Sequence, residues 1–232
     1  MQLVIGNKNY SSWSMRPWVL MRAAGIAFDE RKLRFGNGFE TDGEFKRQVA
    51  TLSPAGRVPV LVTDTGLAIW DTLAIAETLA EMHPQLALWP VDAAARARAR
   101  SICAEMHSGF TTLRNHCPMN IEAALPEVGA RLLATEPGVV ADLQRIGSMW
   151  EQQLEQHGGP WLFGARFCIA DAMYAPVCSR LKTYALPLPP AAAAYAGRVL
   201  AHPAVAEWIA GALAEHDFVA VDEPYRSAPL PA

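Results

Sequence analysis

The feature that most constrains this chain is a change of hydrophobic rhythm near residue 90. Before it, short β-prone runs alternate with helical ones. After it, no convincing strand remains. Residues 3–5 are apolar and β-prone, and Gly6 and Asn7 close them, as a buried strand requires. From Trp13 onward, Trp18, Val19, Leu20 and Met21 recur near helical spacing until Gly25 ends the run. Pro17 is placed in the first turn, where its missing N–H costs little. Residues 28–35 alternate apolar and charged positions like a half-buried strand. A loop with Gly36, Gly38 and Gly43 precedes a helix over 45–52, and Ser53-Pro54-Ala55-Gly56 reads as a turn. Residues 58–62 and 67–70 read as two strands joined by the hairpin turn Thr63-Asp64-Thr65-Gly66. Asp71 or Thr72 then caps a helix running to about Met82.

The resulting order, β-α-β-α-β-β-α, is the thioredoxin-like arrangement, assigned to residues 1–83. Residues 84–91 read as a linker. Residues 92–232 read as an all-helical domain with long helices over 92–114, 139–157, 169–181 and 203–215. The stretch after Phe218, with Pro224, Pro229 and Pro231, reads as a surface tail.

Charge and cysteine usage narrow the class. The 232 residues carry a net charge of −3 with both signs interspersed, which gives no footprint for nucleic acid or an anionic membrane. No apolar run approaches the roughly 18 residues of a membrane helix, and the start carries no secretory pattern. Cys103, Cys117, Cys168 and Cys178 form no C-x-x-C pair, so a reducing, cytoplasmic setting is expected. Cys103, His107, His116 and Cys117 invite a zinc reading, but their spacing fits no finger or zincin, and no metal is expected.

Four motifs, in order along nearly the whole chain, carry a resemblance. Ser11-Ser12-Trp13-Ser14-Met15-Arg16-Pro17-Trp18 resembles the serine-type active-site motif of the glutathione S-transferases, nearest the zeta-class pattern Ser-Ser-Cys-Ser-x-Arg. Arg57-Val58-Pro59-Val60-Leu61 resembles that family's cis-proline segment, and Asp71-Thr72 its acidic-hydroxyl pair. Trp161-Leu162-Phe163-Gly164 with Ile169-Ala170-Asp171 resembles its C-terminal folding motif. The resemblance implies a homodimer using glutathione as co-substrate against a small apolar electrophile. It implies two alternatives as well: a zeta-like cis-trans isomerase of a small diacid, for which Arg16 and Arg114 are the nearby cations, or a non-catalytic carrier of the same fold.

The physics of each motif is compatible with those roles. An unperturbed thiol has a pKa of about 8.5, and making thiolate dominant at neutral pH needs roughly two units, or about 2.7 kcal/mol. A hydroxyl donor at a helix N-terminus can supply that. Ser11 or Ser12 can therefore hold a glutathione thiolate, and a plain N-cap is the alternative. Val58 and Pro59 are expected to pair with the cysteinyl backbone across a cis bond. Asp71 and Thr72 would hold the γ-glutamyl end, or simply cap a helix. Arg57 either meets the glycyl carboxylate or is a solvated loop arginine. Trp13 replaces the zeta-class cysteine. Trp13, His107, Phe110 and Arg114 are assigned to the second-substrate wall, with a core role open for His107. Asp171 is structural, and Cys168 stands where a serine or threonine cap is usual.

Overall fold

The computed structural model describes residues 1–36 and 43–228. Gly38, Pro229 and Pro231 lie outside the described residues. Strands β1 (Gln2–Ile5), β2 (Asp29–Lys32), β3 (Val60–Val62) and β4 (Ala68–Trp70) form one sheet in the order β2-β1-β3-β4. β2 runs parallel to β1, β3 pairs antiparallel with β1, and β4 pairs antiparallel with β3. Leu3, Val4 and Ile5 are fully buried, because the central strand is covered on both faces. Helices α1 (Ser12–Ala23), α2 (Glu44–Ala50) and α3 (Thr72–Met82) complete the β-α-β-α-β-β-α order expected from the sequence.

Beyond a short 3-10 turn at Pro84–Leu86, the chain is helical: α4 (Ala93–Ser108), α5 (Thr111–His116), α6 (Pro126–Thr135), α7 (Pro137–His157), α8 (Ile169–Thr183), α9 (Pro190–Ala201) and α10 (Pro203–Leu213). Every residue of α8 except Lys182 is buried, so this helix is the axis of the domain. α1 packs on both α8 and α10 and thereby joins the two halves. Among the described residues, no helix is long and apolar enough to cross a membrane.

Four expectations are corrected. The single helix over 92–114 is broken, because a Cβ on Gly109 would meet the Glu105 carbonyl oxygen at 2.6 Å and Phe110 turns left-handed at φ 51°. α6 and α9 were not foreseen; each begins on a proline, a start signal as much as a turn signal. Residues 219–228 are not merely a surface tail. They close a 3-10 turn at Ala220–Asp222 and fold back over the β1–α1 turn, where Glu223 is buried.

Pro17 lies inside α1, not in its first turn. Its missing N–H leaves the Trp13 carbonyl without the usual helical donor. Thr72 Oγ1 donates to that carbonyl at 3.0 Å, which ties the start of α3 to the start of α1.

Candidate active site

The site forms where β1 hands the chain to α1. Ser11 N–H donates to the Asn7 carbonyl at 2.8 Å, and the Ser11 carbonyl accepts from Met15 at 3.0 Å, which sets Ser11 as the N-cap. The Ser11 side chain caps no backbone N–H. It donates instead to Ser14 Oγ at 2.7 Å, and Ser14 Oγ also accepts from Gly6 N–H at 3.2 Å. Ser12 Oγ accepts from Arg180 Nη2 at 3.3 Å. With Arg180 donating, the Ser12 proton has no acceptor among the described residues. Both serines line a cavity of about 540 Å³ that also meets Lys46, Arg114, Arg180 and Asp222.

A second cavity, of about 380 Å³, adjoins it and shares Trp13, Arg57, Val58 and Arg114. Pro59, Asp71, Thr72 and His107 are its own. The Val58–Pro59 bond is cis, as the motif led us to expect. Asp71 sits at φ 74°, a left-handed conformation that a non-glycine residue keeps only where its surroundings impose it. Asp71 Oδ1 accepts from Leu73 N–H at 2.8 Å, capping α3, while Oδ2 faces His107 Nε2 at 3.1 Å. Capping and site roles therefore coexist on separate oxygens. The Thr72 hydroxyl proton is spent on Trp13, so toward a ligand this side chain can act only as an acceptor. Arg57 is exposed and borders both cavities.

The expected second-substrate wall is redistributed. His107 stands over Asp71, edge-on to Trp13 at 5.1 Å between ring centroids, and does not line the larger cavity. Phe110 is 7% exposed, belongs to the core and lines neither cavity, because the break at Gly109 turns it inward. Trp13 and Arg114 remain in place. The Arg16 guanidinium stacks 4.2 Å from the Trp13 ring, with Arg114 at 5.3 Å.

Arg180 and Asp222 were missed. A lone arginine inside the apolar run of α8 was the available signal for Arg180; nothing local marks Asp222. Arg180 is buried, and its Nε donates to the Cys117 carbonyl at 2.8 Å. Burial, with Arg114 adding repulsion, lowers it to about 10, so it stays charged at neutral pH. Arg16 is buried too. Its Nη2 has no partner, and burial together with Arg180 and Arg114 lowers its pKa. No carboxylate pairs with Arg16, Arg114 or Arg180 among the described residues. A cluster of guanidinium groups thus stands beside the serines without a carboxylate in contact.

Asp171 is the structural counterpart. It is fully buried and accepts from Leu162 N–H at 3.1 Å, Cys168 N–H at 2.9 Å and Tyr195 Oη–H at 2.9 Å. All four cysteines are buried and free, and burial pushes each thiol up, Cys117 to about 12. No cysteine lines either cavity.

Comparison with known proteins follows the two halves of the fold. The family model described as "Glutathione S-transferase, N-terminal domain" matches residues 10–82, and that of the C-terminal domain matches residues 93–211. A "Probable maleylacetoacetate isomerase" of Caenorhabditis elegans is 33% identical over 147 residues, 63% of this chain and 66% of that protein. "Glutathione S-transferase GstA" of Escherichia coli O157:H7 is 30% identical over 169 residues, covering 68% and 73%. A glutathione transferase homolog from Burkholderia gl BGR1, solved with bound glutathione, superposes with a TM-score of 0.66 at 24% identity, covering 91% and 97%. With family models matching both halves of the fold in order along the chain, the chain belongs to the glutathione S-transferase family.

Proposed function

We propose that the protein is a glutathione transferase that spreads glutathione across the two joined cavities and keeps its sulfur ionised for attack on a small electrophile. The γ-glutamyl end meets Asp71 Oδ2, the cysteinyl backbone meets Val58, and Arg57 reaches the glycyl carboxylate. The observation that carries this reading is the state of the two hydroxyls. Ser11 donates to Ser14, whereas Ser12 receives a hydrogen bond from a buried cation and keeps its own proton to give. Ser12 is therefore the thiolate donor, with the α1 N-terminus and the guanidinium cluster adding positive potential.

The test is thiolate absorbance of bound glutathione across pH. Wild type should show a thiol pKa below neutral, Ser12→Ala a return toward the free value, and Ser11→Ala a smaller change. Saturable binding with an unshifted thiol would leave a carrier.

A second reading of the electrophile is favoured by the unpaired guanidinium cluster: a substrate that bears a carboxylate, such as the diacid of an isomerase, in place of an apolar one. Competitive inhibition by a small dicarboxylate that weakens in Arg114→Gln supports it; none at all returns the apolar reading. We also read the protein as a cytoplasmic homodimer. Its four free cysteines and the exposed Leu67 and Trp70 support this, and light scattering tests the assembly.

A further inference from the structure

Among the described residues, the larger cavity is bordered by cations and by one carboxyl group, Asp222, which nothing in the four motifs accounts for. It arrives from the far end of the chain. The segment carrying it is fastened over the β1–α1 turn by Asn7 to Asp217 at 2.6 Å and by Tyr10 Oη to Glu223 Oε1 at 2.6 Å. Asn120 holds the other oxygen of Glu223 at 2.7 Å. Asp222 itself is held by none of these. Its Oδ2 is shielded from solvent and has no hydrogen-bond partner.

From this geometry we propose that Asp222 is the proton donor of the second-substrate site, serving electrophiles whose addition product must be protonated. The proposal rests on the glutathione-activating reading above.

A shielded, unpaired oxygen disfavours the carboxylate. Burial, and then the adjacent Glu223, push the acid from 3.8 up to about 6. The other titratable groups that line the same cavity are Tyr10 on the turn, Lys46 on α2, Arg57 before β3, Arg114 on α5 and Arg180 on α8, and none of the four cations among them pairs with Asp222.

The chemistry balances for an activated alkene. The glutathione thiolate forms a C–S bond to the β-carbon. The π electrons move through the α-carbon onto the carbonyl oxygen as an enolate. Asp222 gives its proton to the enolate and becomes a carboxylate. Solvent then returns to Asp222 the proton that the thiol released on ionising. Substitution on a chloroarene ends with chloride leaving and needs no such proton.

The two reactions separate this role from a structural one. In Asp222→Asn, kcat/KM for addition to a small α,β-unsaturated ketone, divided by that for chlorodinitrobenzene, should fall about a hundredfold. In wild type the same ratio should decline as pH rises through about 6, the value to which burial moves Asp222, and this decline should vanish in the variant. Asp222→Glu should restore the decline. A ratio unmoved by Asp222→Asn, or both rates falling in step, overturns the proposal. Thiolate absorbance in the same samples distinguishes the failures. An unshifted wild-type thiol overturns glutathione activation and the acid with it; a depressed thiol with an unmoved ratio overturns the acid alone.

Discussion

Asp71 and Asp171 both stand at helix starts and both accept backbone hydrogen bonds there, yet they differ in what is left over. Asp171 is enclosed, and its two oxygens are used by Leu162, Cys168 and Tyr195. Asp71 spends one oxygen on α3 and turns the other to a cavity, at a backbone angle that costs energy to hold. The same residue type, as N-cap of α3 in one case and third residue of α8 in the other, is architecture at Asp171 and, under the proposed function, a binding group at Asp71. Spare valence, not identity, marks the difference.

The largest effect that could break this contrast is in Asp171→Ala. Three buried donors would lose their acceptor, at about 1–3 kcal/mol each, so thermal unfolding should drop by roughly 10 °C or more. A change of only a degree or two would mean that the Asp171 network is not what holds the α8 start. Next comes Asp71→Asn, which keeps a capping oxygen but removes the charge. Calorimetry should show glutathione binding weakened by about tenfold or more, with stability changed by under about 1 kcal/mol. Equal losses of stability and affinity would erase the distinction. His107→Leu should be gentler. It frees Asp71 Oδ2 from a half-exposed pair, worth about 0.5 kcal/mol, so glutathione should bind about twofold tighter. Weaker binding would show that His107 itself touches the ligand.

Asp222 offers the most pH-selective test. Its folded pKa lies above the unfolded value of 3.8, at about 6. The neutral acid is therefore favoured by the fold: its contribution is full below 3.8 and is lost as pH rises through about 6. Asp222→Asn should raise stability at pH 8 by up to about 3 kcal/mol, roughly 6–12 °C in Tm, with the gain shrinking steadily as pH falls toward 3.8.

The N-terminal half was legible because its signals are local. Strand rhythm, the Ser11-Ser12 turn, the cis-proline segment and the Asp71 cap each occupy a few adjacent residues. The C-terminal side of the cleft was much less so. His107, Phe110 and Arg114 lie close in sequence, but the left-handed step at Phe110 sends that side chain into the core while His107 and Arg114 both reach the smaller cavity. Arg180 reaches Ser12 across 168 residues, and Asp222 arrives on a segment whose prolines read as a tail. The spent Thr72 proton was hidden for a related reason, since its acceptor exists only because Pro17 lacks an N–H. Local chemistry can be read from spacing; convergence cannot.

The four enclosed cysteines have a consequence for the catalyst's survival. Under the proposed function, a protein that gathers electrophiles is itself the first target they meet. No cysteine lines either cavity, so the thiol offered there is the one that glutathione brings and carries away with the product. On that reading the polypeptide's own thiols are spared, and each hit is discharged with a departing molecule of conjugate.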